Sequence, residues 1–185
     1  MIYVVGFKDK IPAGATIINT TSRSDNWSRG LSPFFVGPVD LYNGYTAKNV
    51  ENAWQFSKVY YNQVDAQDNP TQNYFDWAQK GWNDAFAHRY PKGRGAIPLY
   101  SYWDGQKLDY IEARKQIYIP LYAKAVQESS AFEQLKKMTG DLYLQDFDAY
   151  NHKALGLSYE QVINDPNRKM GHAFVLAMLL EGYLQ

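Results

Sequence analysis

Residues 49–58 read Asn49-Val50-Glu51-Asn52-Ala53-Trp54-Gln55-Phe56-Ser57-Lys58. Asn49 is a good helix cap, and Val50, Ala53, Trp54, Ser57 and Tyr61 recur at helical spacing, so a helix is expected over 50–62. On that helix Glu51 and Lys58 stand two turns apart, about 20° from one another around the axis. Gln55 lies between them at i+4 from Glu51. A polar stripe thus borders the apolar one, where a pocket wall would run. A partly buried carboxylate there can act as general acid and base, and an amine with a lowered pKa can attack a carbonyl carbon. The same stripe is also the commonest solvated surface of a helix.

Working outward from this stretch, Thr71–His88 reads as a second helix with Tyr74, Phe75, Trp77, Ala78, Trp82, Ala85 and Phe86 on its apolar face. On the amino-terminal side, Ile2–Val5 and Ala15–Asn19 are β-branched runs separated by Pro12 and Gly14, read as two strands with a turn. Residues 20–46, rich in Ser, Asn, Gly and Pro, read as a long ordered loop of the kind that usually carries function. Downstream, residues 88–96 form a basic, glycine-containing loop. Asp104-Gly105 sits between Ile97–Trp103 and Lys107–Leu108 as a hairpin turn. Tyr110–Ile119 and Leu121–Gln127 look helical, with Pro120 kinking one helix or starting a second. Ser130 to Glu133 fits a capping box. Leu142–Leu144 reads as a strand, Ser158–Ile163 as a helical turn and Lys169–Leu184 as an apolar helix. The expectation is one domain over residues 1–185, α+β and helix-dominated with a few short strands.

The chain has 185 residues, with 19 basic and 19 acidic side chains and 45% hydrophobic residues, as in ordinary globular domains. It has no cysteine, which excludes disulfides, thiolate zinc sites and cysteine nucleophiles. No apolar run approaches the ~18 residues of a membrane span. The first residues lack the pattern of a secretory signal, so a cytoplasmic setting is expected. Zero net charge argues against tight sequence-independent nucleic-acid binding by the whole surface, though a local patch can hold a few phosphates. Aromatic residues reach 16%, enough for a Tyr-rich core and for stacking sites.

Three further constellations stand out. Arg23, Ser24, Asn26, Trp27, Ser28 and Arg29 lead into Leu31-Ser32. Guanidinium groups there can pair with a pyrophosphate and Trp27 can stack on a purine. Arg89, Lys92 and Arg94 can contact a nucleic-acid backbone. Asp141, Asp146 and Asp148 cluster around the strand near 142–144, and Asp148 is favoured among them as an orienting carboxylate. The three histidines, His88, His152 and His172, lack metal-ligand spacing, and His172 reads as a hydrogen-bonded interior residue. No phosphate-binding Gly-Lys-Ser loop or Gly-x-Ser-x-Gly turn is present, so neither metal nor cofactor is expected.

The block Leu31-Ser32-Pro33-Phe34-Phe35, followed by Val50-Glu51 through Gln55 and Lys58, resembles the signature of the NADAR family. That signature reads Leu-Ser-Asn-Phe, a short hairpin, then Val-Glu-His-x-x-Gln-x-x-Lys. Leu31, Ser32, Phe34, Val50, Glu51, Gln55 and Lys58 match in type and order. Leu135 with Thr139-Gly140-Asp141, Asp148, and Asn167 into Met178 are similar to later family segments, so the resemblance spans roughly residues 31–180. The sequence departs from the signature at Pro33, at Asn52 in place of His, and at Tyr150-Asn151-His152 in place of Trp-Gly. The resemblance implies a hydrolase of N-glycosidic ribosyl linkages that removes ADP-ribose from guanine in DNA or RNA, and so reverses a DNA-ADP-ribosylating toxin as an antitoxin or phage counter-defence. Two alternatives stand beside it: an N-glycosidase of small ribosylated amino-pyrimidines and a non-catalytic module that binds ADP-ribose or NAD. Under this resemblance Glu51 and Lys58 are the catalytic candidates, and Asp148 joins them from the carboxylate cluster. The substrate-binding candidates are Arg23, Trp27, Ser32, Phe34, Trp54, Gln55, Arg89, Arg94 and Gly140.

Overall fold

The computed structural model describes all of residues 1–185. In chain order its elements are β1 (Ile2–Val5), β2 (Thr16–Asn19), a 3-10 turn (Trp27–Leu31), β3 (Val39–Asp40), β4 (Thr46–Ala47), α1 (Val50–Gln55), β5 (Lys58–Val59), a second 3-10 turn (Tyr61–Gln63) and α2 (Gln72–Trp82). Then follow β6 (Tyr100–Trp103), β7 (Gln106–Leu108), α3 (Tyr110–Ala113), a π turn (Arg114–Tyr118), α4 (Ile119–Gln127), α5 (Ser130–Lys136), β8 (Leu142–Gln145), α6 (Tyr159–Ile163) and α7 (His172–Leu180). With 35% helix and 15% strand in small sheets, the fold is α+β with helix predominant, the class read from the sequence. The chain packs as two compact units, Met1–Val36 with Tyr122–Gln185, and Gly37–Leu121.

The first unit is built on a three-stranded parallel sheet in the order β1-β8-β2. β1 and β2, the two strands read on either side of a turn, therefore do not pair with each other. Each hydrogen-bonds one edge of β8, which satisfies the backbone of β8 on both sides. Side chains alternate along the strands. Val4, Ile18, Leu142 and Leu144 are buried, whereas Tyr3 stacks on its register partner Tyr143 at 4.6 Å. Against the sheet lies α7, in which Ala173 through Met178 are all fully buried. A helix apolar all round belongs inside a core, and each large side chain so covered contributes about 1.5–3 kcal/mol. The helix is shorter than the expected Lys169–Leu184, because Gly171 caps it and the Glu181-Gly182 turn ends it.

His152 is 2% exposed, lies against Tyr159 and Phe174 at 4.9 and 5.7 Å, and its Nδ1 has no hydrogen-bond partner. Burial, aided by Lys153, holds its pKa below the usual 6.5, with Glu181 opposing. The unfolded chain takes up a proton near pH 6.5 and the folded chain only lower. The His152 contribution is thus full above about pH 6.5 and is lost as pH falls toward the folded value. We expect His152→Phe to flatten the fall in melting temperature between about pH 7 and 5. Equal pH slopes in the two proteins would count against this.

The second unit joins a two-stranded ladder, β3-β4, to a three-stranded antiparallel sheet, β5-β6-β7, around α1, α2 and α3. The β6-β7 hairpin turns at Asp104-Gly105, both with positive φ (46° and 83°), as its dipeptide predicts. Tyr74, Ala78 and Trp82 of α2 are buried. A Cβ on Gly81 would come within 2.2 Å of the Phe56 ring, so glycine is what lets helix and ring touch. The expected extension of α2 to His88 does not occur. Asp84 accepts from the Phe86 N–H at 2.9 Å in a turn of its own, and Phe86 is 72% exposed instead of facing the core. Pro120 stands in the first turn of a second helix, one of the two places its sequence context offered. It is the second residue of α4, and the turn before it widens so that the Ile119 N–H reaches back to Arg114 O. Proline has no N–H for the Gln116 carbonyl, and a π turn relieves that mismatch. The capping residue of α5 is Ser129, one position before the expected Ser130, and its Oγ accepts from the Phe132 N–H at 3.1 Å.

Candidate active site

The helix expected over 50–62 is α1 alone, six residues long. Asn49 caps it by accepting from the Asn52 N–H at 2.8 Å. It ends at Phe56, after which the Ser57 hydroxyl donates to Trp54 O at 2.7 Å and the chain turns extended. Sheet pairing decides the outcome: Lys58 faces Ser101 and Val59 faces Tyr100, while the Tyr102 N–H donates to Ser57 O at 2.8 Å. Tyr61, expected on the apolar stripe, is 80% exposed. Glu51 and Lys58 are therefore not two turns apart on one helix. One projects from the first turn of α1, the other from the start of β5.

The side chain of Gln55 nonetheless joins them. Its Nε2 donates to Glu51 Oε1 at 3.1 Å, and its Oε1 accepts from Lys58 Nζ at 3.1 Å. The orientation of this amide is fixed by chemistry, since an ammonium only donates and a carboxylate only accepts. Glu51 is 8% exposed, and Lys58 Nζ lies over the Trp54 ring at 5.2 Å. Trp54 in turn meets Tyr118 at 5.2 Å and packs on the cluster of Leu108, Ala113 and Ile117. A buried carboxylate and an amine are thus held at the two ends of one amide, with an aromatic face under the cation. This arrangement can move protons and present a nucleophilic nitrogen.

Asn52 is fully buried and does a different job. Its Nδ2 donates to Asp84 O and Phe86 O at 3.1 and 2.8 Å, and its Oδ1 accepts from the His88 N–H at 2.8 Å. It pins the turn that ends α2. His88 Nε2 sits 2.7 Å from Asp84 Oδ2, and that hydrogen bond holds the Asp84 carboxyl below its ordinary pKa. Arg89 and Arg94 lie over the same Tyr90 ring, at 5.4 and 5.2 Å. Sequence reading did not single out the π turn as part of this neighbourhood. It brings Tyr118 to Trp54 and carries Arg114, which is 2% exposed with its guanidinium over Tyr110 at 4.7 Å. Pro120 was the available signal.

The remaining candidates belong to the first unit. Arg23 is exposed and stacks over Phe147 at 5.1 Å. Trp27 opens the 3-10 turn, whose cap Asn26 accepts from the Ser28 N–H at 2.9 Å. Ser32 is buried and accepts from the Phe34 N–H at 3.2 Å, so its hydroxyl shapes the turn that carries the half-buried Phe34. Gly140, with φ +83°, makes the exposed turn into β8. Asp148 is half-buried, and its backbone carbonyl accepts from the Gly171 N–H at 2.8 Å. Asp146 is the deeply buried acid, 2.7 Å from the Phe147 N–H, 3.2 Å from the Ala173 N–H and 3.1 Å from His172 Nδ1. His172 Nε2 faces Thr20 O at 2.8 Å and Thr20 Oγ1 at 2.9 Å. His172 is thus the interior hydrogen-bonded residue its sequence context suggests. No group of three or more His, Asp or Glu side chains is gathered so as to hold a metal ion, and no helix is long and apolar enough to cross a membrane.

Compared with known protein families, residues 4–176 match the model of a family described as "Family of unknown function (DUF6939)". No curated protein matches the chain.

Proposed function

We propose, for a chain that belongs to the DUF6939 family of unknown function, a hydrolase of N-glycosidic ribosyl linkages that removes ADP-ribose from guanine bases. The observation that carries this reading is the Glu51–Gln55–Lys58 chain over Trp54. The resemblance of residues 31–58 to the NADAR signature supplies the substrate class, and the natural role it suggests is reversal of a DNA-ADP-ribosylating toxin.

In this reading a ribose linked through an exocyclic amine opens at its anomeric carbon. Lys58 gives up its ammonium proton to Glu51, and Glu51 passes it to the ring oxygen as the C–O bond breaks, leaving an imine to the base. The deprotonated Lys58 amine adds to that carbon, and the base amine departs carrying a proton returned through Glu51. Water then adds to the lysine imine, Lys58 leaves, and ADP-ribose closes its ring. Gln55 sets the separation of the two groups, and Trp54 lines the site beneath the amine.

The test is mass spectrometry of a guanine-ADP-ribosylated oligonucleotide incubated with the protein, with and without borohydride. Free ADP-ribose, together with a reduced adduct on Lys58, is the expected result. Release without an adduct removes the imine step and leaves direct displacement assisted by Glu51. An intact oligonucleotide overturns the reading, and turnover of a ribosylated amino-pyrimidine in its place would move the substrate class.

A further inference from the structure

We propose that the loop from Asp84 to Leu99 is a docking lip for single-stranded nucleic acid. The inference rests on the glycohydrolase reading only for what the strand carries, and it deepens that reading by choosing an unpaired strand over a free nucleotide.

Charge gives the first observation. The chain as a whole balances 19 basic against 19 acidic residues, yet residues 85–103 contain no Asp or Glu and include His88, Arg89, Lys92 and Arg94. The cations here are seated on rings. Arg89 and Arg94 lie over Tyr90, and Lys92 Nζ is 5.0 Å from the Trp77 ring centroid. The guanidinium of Arg94, on the exposed part of the loop, carries N–H groups of the kind that match phosphate oxygens in pairs. Lys92 and Arg94 are both exposed.

Apolar exposure gives the second. Phe86 is 72% exposed, Ile97 86% and Tyr90 40%, on the same loop as the cations. Basic side chains interleaved with exposed aromatic rings are what an unpaired strand needs: phosphates meet the cations and bases stack on the rings. A duplex keeps its bases stacked inside and has no use for those rings. An acidic protein segment would meet the cations but gain little from the exposed Phe86 ring. The third observation is room. Gly93 and Gly95 flank Arg94 with φ of +94° and +86°, and the space where a Cβ would stand is open at both. A strand can therefore approach the backbone on either side of Arg94.

The experiment is fluorescence anisotropy of the full chain with an unmodified, labelled single strand of about 12 nucleotides, within the ~4–16 that such grooves cover. The same sequence as duplex, and polyglutamate as competitor, complete the set. At about 50 mM salt, Lys92→Glu with Arg94→Glu should weaken single-strand binding at least 10-fold. It should also lower the slope of log affinity against log salt by about 1.4, two phosphates at ~0.7 each. Phe86→Ala, at a ring 72% exposed with no guanidinium seated on it, should weaken the single strand about 5- to 100-fold through lost stacking and change duplex binding far less. Thermal melts check folding, and Lys92→Ala with Arg94→Ala replaces the charge reversal if that variant misfolds.

Absence of salt-dependent binding by the unsubstituted protein, or unchanged binding by both double variants, overturns the proposal. So does a duplex bound as tightly as the single strand, or displacement of the strand by polyglutamate at equal charge. Because the probe carries no adduct, its binding together with no ADP-ribose release from a modified oligonucleotide would sink the glycohydrolase reading alone. Release from a modified oligonucleotide without affinity for the plain strand would sink the lip alone.

Discussion

Glu51→Gln should slow release of ADP-ribose from a guanine adduct by about 10²–10⁴-fold, the range over which a positioned acid–base group acts. The substitution is nearly isosteric, and an amide oxygen can still accept from Gln55 Nε2, which now donates to Glu51 Oε1 at 3.1 Å. The fold should therefore survive and the loss fall on kcat. Single-turnover chromatography of the released ADP-ribose measures it, with a thermal melt of the variant as control. The informative partner is a pair of substitutions at Lys58. Lys58→Arg keeps a cation over the Trp54 ring, a contact now 5.2 Å long, and supplies no amine for imine formation. Lys58→Ala removes both. If Lys58 forms the covalent link, both variants lose about as much as Glu51→Gln. If its charge alone matters, arginine stays within about 10-fold of the unsubstituted protein. Near-normal turnover in Lys58→Ala would end the nucleophile assignment.

The largest loss of stability is expected at Gly171→Ala. A Cβ there would stand 2.2 Å from Asp146 Oδ2 and 2.9 Å from Asp148 O. Neither oxygen can yield cheaply. Asp146 is 3% exposed and holds the Ala173 N–H and His172 Nδ1 at the first turn of α7, and Asp148 O accepts from the Gly171 N–H itself. Overpacking costs about 1–3 kcal/mol and buried hydrogen bonds left unmade about 1–3 more. At about 2–4 °C per kcal/mol for a chain of this size, the melting temperature should fall roughly 5–20 °C. Asp146→Asn should fall on the same side by less, since its side-chain oxygen can still take a backbone N–H. A melting temperature within a degree or two for Gly171→Ala would mean the α7 junction is far looser than its distances.

Much of the fold was legible, and the reason is local. Ile2–Val5, Asp104-Gly105 and the apolar run inside α7 each carry their structure in their own residues, through β-branching, turn chemistry and unbroken hydrophobicity. The second stretch of chain was misread where distant backbone wins over local periodicity. Val50 to Tyr61 has a helical stripe, but β6 captures Lys58 and Val59 and the helix stops at Gln55. The apolar face assigned through Phe86 failed for a similar reason, because Asn52, thirty-odd residues back, takes the backbone groups at 84, 86 and 88. At the site, Glu51, Trp54, Gln55 and Lys58 were named together from sequence and do come together, by a different geometry. The buried Arg114 and the π turn were missed because nothing in their own residues marks them. Their cause is the missing N–H of Pro120, two residues past the turn.

The order of the parallel sheet bears on how the protein is made. β1 and β2 lie on opposite edges of β8 and share no hydrogen bond. Both are complete by residue 19, while β8 begins at residue 142. On a ribosome adding about 5–20 residues per second, the two early strands wait roughly 6–25 s for the strand that joins them. Over that interval Gly37–Leu121, contiguous in sequence, is emitted whole and has every one of its own sheet partners. Synthesis thus favours an order in which the middle of the chain condenses first. Throughout the delay, Ile2–Val5 and Thr16–Asn19 remain open-edged and β-branched, a window in which a chaperone, or a second nascent chain, would find them.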